Sequence, residues 1–199
     1  ISGEGDIYYT LDGSDPTVYS KKYTAPFELA ETKSVRAVSY SAGKIRSTAA
    51  AATYIVGEDN TLPVMTLCVD RDDLYESGIY ATGYNASSEF PYLGANFWKP
   101  WEKECTAEFF ENGDGFSIDC GIRIFGAYSR ADDKKSFQLK FRDMYGQSEL
   151  VYSVFDELDT VKSFKALVLR AGSQDYAYAM LRDEFFTSLL KSHSENLYV

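Results

Sequence analysis

Short apolar runs with a period near two recur along the first quarter of the chain: IYYTL (7–11), APFEL (25–29), SVRAVSY (34–40) and ATYIV (52–56). Alternation of this kind predicts half-buried β-strands, because successive strand side chains point to opposite faces. Turn signals separate the runs. Asp12-Gly13 favours a positive φ at the glycine, and Asp15-Pro16 fixes a second turn. Strands at this spacing predict a small all-β, Ig-like sandwich over residues 1–57. The polar VGEDNTLP (56–63) closes it, and a second domain is expected over 62–199.

The second segment opens with an apolar strand, PVMTLCV (63–69), and the acidic DRDDLYES (70–77). A loop rich in Asn, Ser and Gly (83–96) and the aromatic NFWKPWEK (96–103) follow. Strands are predicted over 104–110, 116–125, 135–142 and 164–170. Only YAYAMLRDEFFTSLLKSH (176–193) has helical spacing; its Leu181, Phe185, Phe186, Leu189 and Leu190 predict one buried face. Ser173 or Asp175 would cap it. The fold class expected is α+β overall, a small β-sandwich followed by a β-rich domain with one clear helix.

Composition supports the strands. The 199 residues include 16 Tyr and 13 Phe, which fit a pleated surface better than a helical bundle. The net charge of −10 repels nucleic acid and anionic membrane, and neither is an expected partner. Residues 1–58 contribute only −1 of it. No apolar run is long enough to span a bilayer, and the abrupt start ISGEG reads as a fragment. Three cysteines are too few for a disulfide scaffold. Cys105 and Cys120 flank ENGDG (111–115) almost symmetrically, so a hairpin there would oppose them, either bonded or as a reduced pair. Cys68 reads as a small buried residue.

The stretch GIRIFGAYSRADDKKSFQLK (121–140) has the outline of a strand, a Gly-containing turn and a lysine-bearing strand, which nucleotide-binding folds use to hold phosphates. A KK pair by itself is more often solvated surface, and the spacing of Gly121 and Gly126 is not G-x-G-x-x-G. The acidic Asp70, Asp72, Asp73 and Glu76 lack EF-hand spacing and read as the start of a helical turn. Trp98 and Trp101 read either as packing aromatics or as a sugar-stacking platform. His193 is the only histidine, which leaves neither a Ser-His-Asp triad nor a His-based zinc site. Asn85-Ala86-Ser87 has the form of a glycosylation sequon.

Residues 7–56, with IYYT, DGSDPT and RAVSY-SAGK, resemble the Ig-like accessory module of chitobiase and hexosaminidase C-termini, truncated at its start. From residue 62 onward the chain resembles the CotH family of secreted or spore-coat atypical kinases. The matching pieces are LPVMTLCVD, GIY (78–80), KPWEKECTAEFFENGDG, GIRIFGAYSR, KKSFQLKFR and LVLRAGSQD with MLRDEF. The resemblance implies a kinase-like amino-terminal lobe and an extracellular, cell-surface or spore-coat location. It implies an ATP- and magnesium-dependent parent that phosphorylates serine in a protein substrate.

In that scheme Lys135 holds phosphates, Gly121, Gly126, Ser129 and Arg130 form the phosphate-covering turn, Arg123 on the strand lines the cleft or is simply exposed, and Asp183 or Glu184 of the helix orients Lys135. Choosing Lys135 over Lys134 rests on the match to K-S-F. Phe125 stands where relatives with an IRIHG run carry His. The family's catalytic base and magnesium ligands lie beyond the region matched here, so the chain alone is expected to be inactive. The rival expectation is an extracellular scaffold that binds polysaccharide or a surface partner, with kinase likeness in fold only.

Overall fold

A computed structural model describes residues 1–155, 161–172, 175 and 178–193. It is mostly β-sheet with one clear helix, and it divides into two compact units. The first unit comprises residues 1–78 and 103–120, the second residues 79–102 and 121–199.

In the first unit, β1 (Asp6–Thr10), β2 (Lys21–Lys22), β3 (Lys33–Tyr40) and β4 (Ala50–Tyr54) form an antiparallel sheet in the order β2-β1-β3-β4. Alternation explains its faces. Ile7 is opposite Ser39, Tyr9 opposite Ala37 and Val35 opposite Ala52, which lines up one face of small and apolar side chains. The turn after β1 forms as its residues dictate. Gly13 takes φ 82°, and the Asp12 carboxylate accepts the Ser14 hydroxyl at 2.6 Å and the Ser14 N–H at 3.1 Å. Those bonds hold the Asp12 carboxyl below its ordinary range.

APFEL forms no strand. Pro26 has no N–H for a ladder, and Phe27 stacks on Tyr9 instead, with ring centroids 4.8 Å apart.

The same unit contains β5 (Val64–Val69), β6 (Lys103–Glu111) and the first part of β7 (Asp114–Phe125). β6 lies between β5 and β7. Asn112 and Gly113 join β6 to β7 with φ of 51° and 83°, the signs a two-residue type I′ hairpin turn requires. The acidic run forms the short helical turn expected of it, over Asp72–Glu76. Asp70 Oδ1 accepts the Asp72 N–H at 2.8 Å, and Asp73 pairs with Lys103, so these carboxylates serve the backbone and a neighbouring cation.

In the second unit the end of β7 pairs with β8 (Ser136–Lys140). Then come β9 (Leu150–Val151), β10 (Ser163–Phe164) and β11 (Ala166–Leu169). β8 lies between β7 and β11, and β9 pairs separately with β10. Ile122, Leu139 and Leu167 form one row across three strands, all buried. Gly121 sits in this sheet for a steric reason, because a Cβ there would lie 2.5 Å from Glu102 Oε1. Glu102 is held in turn by Arg142 through two contacts of 2.8 and 3.1 Å.

The helix α1 (Arg182–His193) begins later than its periodicity suggests. Asp175 Oδ2 accepts the Arg182 N–H at 2.9 Å, and Asp175 Oδ1 lies 3.1 Å from the Arg182 guanidinium. Ser173, the other expected cap, lies outside the described residues. The expected buried face is a correction. Leu181, Phe185, Phe186, Leu189 and Leu190 are all exposed, since spacing along a helix marks a face without supplying what covers it.

Candidate functional site

Lys135 is the residue before β8, where the chain leaves the 126–134 loop. Lys134 is exposed, whereas Lys135 is only 7% exposed and the next residue, Ser136, is buried as well. Its Nζ donates to the Asp132 carbonyl at 2.6 Å. The same ammonium lies 4.2 Å from the Phe97 ring centroid and 5.0 Å from that of Tyr80. The Tyr80 hydroxyl closes the arrangement by accepting the Lys135 N–H at 3.2 Å and donating to the Asp133 carbonyl.

Burial pulls the Lys135 ammonium below its ordinary 10.5, and the carboxylates of Asp133 and Asp132 counter part of that pull. The Asp132 and Asp133 carboxylates act on Nζ through their charge, while its hydrogen bond goes to the Asp132 carbonyl. The site is therefore a buried cation on aromatic rings with one hydrogen bond to a neutral carbonyl. An anionic oxygen would complement it both electrostatically and as an acceptor.

The loop before Lys135 is built by its own residues. Gly126 has φ 119°, and a Cβ there would meet Ser129 Oγ at 2.3 Å. Arg130 donates Nε–H to the Gly126 carbonyl at 2.6 Å and Nη1–H to the Phe97 carbonyl at 3.3 Å. Burial lowers the Arg130 pKa, and the charge of Arg123 adds to the effect. Arg123 donates to Gln138 Oε1 at 2.7 Å, directly across from it on β8. Gly126, Ser129 and Arg130 are thus brought together in one loop, with both arginines bonded to protein groups.

Asp183 is placed elsewhere. Its carboxylate is 2.6 Å from Arg170 Nη2, and Glu184 accepts the Ser188 hydroxyl at 3.0 Å. Phe125 is partly exposed. Tyr80 and Phe97 are the residues that the sequence reading did not assign to this site. Their signal was the GIY and NFW pieces, read there as family matches and packing aromatics.

The aromatic loop 83–101 has a defined architecture. Trp98 donates its indole N–H to the Pro91 carbonyl at 2.9 Å and meets Tyr128 edge-on, with centroids 6.4 Å apart. Lys99 lies 4.2 Å over the Trp101 ring. Phe90, Tyr84 and Tyr128 are exposed. Among the described residues no group of three or more His, Cys, Asp or Glu is placed to hold a metal ion. No described helix is long and apolar enough to cross a membrane.

The family described as Fn3 associated matches residues 2–54. Those residues form an accessory module of Ig-like type, consistent with their four-stranded antiparallel sheet. No curated protein and no solved structure matches the chain significantly.

Proposed function

We propose that the chain is part of a CotH-like, extracellular phosphotransferase. In this reading residues 62–199 are the amino-terminal portion of its kinase-like domain, and an accessory module precedes them. One observation carries the reading: Lys135 is a buried ammonium set against the Phe97 and Tyr80 rings, with its Nζ donating to a neutral carbonyl. A cation in that setting gains more from a phosphate oxygen than an exposed lysine does, because less solvent screens the interaction. Lys135 would contact nucleotide phosphate, and the loop containing Gly126, Ser129 and Arg130 would lie beside it. When bound, ATP would supply the transferable phosphoryl group and magnesium would neutralise its charge. Asp183, paired with Arg170, would have to exchange that partner to orient Lys135. The chain by itself would bind phosphate without transferring it.

The test is calorimetric titration of the chain with Mg-ATP, beside Lys135→Ala and Lys134→Ala. Binding that is lost in the first variant and kept in the second supports the reading. Absence of binding to the unsubstituted chain rejects it.

A second reading has its own support. The Fn3 associated match and the exposed rings of Phe90, Tyr84 and Tyr128 fit an extracellular binding or scaffolding protein that takes a polysaccharide or a surface partner. Retardation in a neutral polysaccharide gel, relieved by Tyr128→Ala, would favour it over the kinase reading.

A further inference from the structure

The β6–β7 hairpin brings two thiols face to face. Thr106 donates its hydroxyl to Asp119 Oδ1 at 2.7 Å, and Phe109 stacks on Phe116 with centroids 5.6 Å apart. Each of these pairs is equidistant from the Asn112–Gly113 turn, so together they fix the register without a slip. Cys105 and Cys120 are the next equidistant pair outward, each seven residues from the turn. Residues opposed in an antiparallel ladder have Cα atoms about 4.5–5.5 Å apart, inside the range of roughly 4.4–6.8 Å that a disulfide spans.

Cys68 is excluded by the same geometry. Val69, not Cys68, is opposite Cys105 on β5, and alternation turns the Cys68 side chain to the other face. All three cysteines are free and buried, with Cys105 at 3% and Cys120 at 0% exposure.

We propose that Cys105 and Cys120 are a disulfide-forming pair whose bond closes the β6–β7 hairpin in its native register, leaving Cys68 as a thiol. The oxidant would be a disulfide such as oxidised glutathione. One cysteine thiolate attacks it and releases one glutathione thiolate, giving a mixed disulfide. The second cysteine thiolate then attacks the protein sulfur, forms the Cys105–Cys120 bond and releases the second glutathione thiolate. The protein dithiol loses two electrons and two protons, and the oxidant's S–S bond is reduced to two thiols. Burial sets when this happens. A thiol with almost no exposure is out of reach in the folded chain, so the bond forms during folding and not afterwards. The redox poise met while folding then decides the state.

The experiment is refolding of the reduced, urea-unfolded chain in a mixture of reduced and oxidised glutathione, followed by alkylation and non-reducing peptide mapping. The expected product is about 2 Da lighter than the reduced chain. It has a linked Cys105–Cys120 peptide pair, and Cys68 is alkylated once unfolded. Its thermal midpoint is expected to lie several degrees above that of the same protein after reduction, because the closed loop constrains the unfolded chain. Absence of a bond, a dominant bond to Cys68, or a linked product with a lowered midpoint would each overturn the proposal. Cys68→Ala should form the same link, and a failure there also counts against it. Cys120→Ser should give no intramolecular bond; a Cys68–Cys105 link in that variant would show that the register does not exclude Cys68.

Discussion

The Glu108 carboxylate, 6% exposed on β6, accepts the backbone N–H of Thr53 on β4 at 2.7 Å. Around it lie the Thr66 hydroxyl at 3.4 Å and a chain of hydroxyls from Thr66 through Thr53 to Ser34. Residues 2–54 are therefore joined to β5 and β6 by a buried polar network as well as by the chain itself. Removing the acceptor would leave the Thr53 N–H without its partner in a buried place. Glu108→Ala should cost about 3 kcal/mol in urea unfolding, and Glu108→Gln, which keeps an acceptor, about 1 kcal/mol. Equal effects of the two would show that the hydrogen bond contributes little.

Gly121 and Glu102 should be energetically coupled. A methyl at Gly121 would lie 2.5 Å from Glu102 Oε1 and displace a carboxylate that Arg142 holds through two contacts. Gly121→Ala should destabilise by about 1–3 kcal/mol. In the background of Glu102→Ala the same change should cost at least about 1 kcal/mol less. Strict additivity in the double-mutant cycle would refute the clash.

Lys135 should give stability a dependence on alkaline pH. Its folded pKa is lowered from 10.5 by burial, so the unfolded chain binds the proton more tightly than the folded one. Between the lowered value and 10.5 the unfolded state has the larger proton count, and stability therefore rises with pH across that window. Relative to Lys135→Met, in which nothing titrates at this position, the unsubstituted protein should gain stability as pH increases toward 10.5. Urea midpoints of both proteins at stepped pH check this; a constant difference contradicts it.

The helix face should behave as surface. Phe185 is 63% exposed and Leu189 44%, so replacing either with Ser removes little buried area. Each change should alter stability by less than about 0.5 kcal/mol, while binding of a hydrophobic dye falls. A loss of several kcal/mol would mean that the face is covered in solution.

Parts of this structure follow from local sequence. The β6–β7 hairpin was legible because Asn112-Gly113 can supply two positive φ angles and the flanking strands alternate around it. The helix was legible from its spacing but its start was not: α1 begins at Arg182, and Asp175 reaches the first N–H from seven residues away.

Other parts depended on contacts that period and propensity do not encode. APFEL has a strand-like pattern, yet Pro26 lacks the donor and Phe27 stacks on Tyr9. The apolar stripe of α1 specifies a face but not a partner, and that face is exposed. The surroundings of Lys135 come from Tyr80, 55 residues earlier, and from Phe97 in the aromatic loop. By itself the sequence determined most of the strands, their turns and the opposed cysteines, since each follows from neighbours along the chain. Only tertiary structure decided that Lys135 is buried and what it meets, because burial and charge pairing are set by residues distant in sequence that folding brings together.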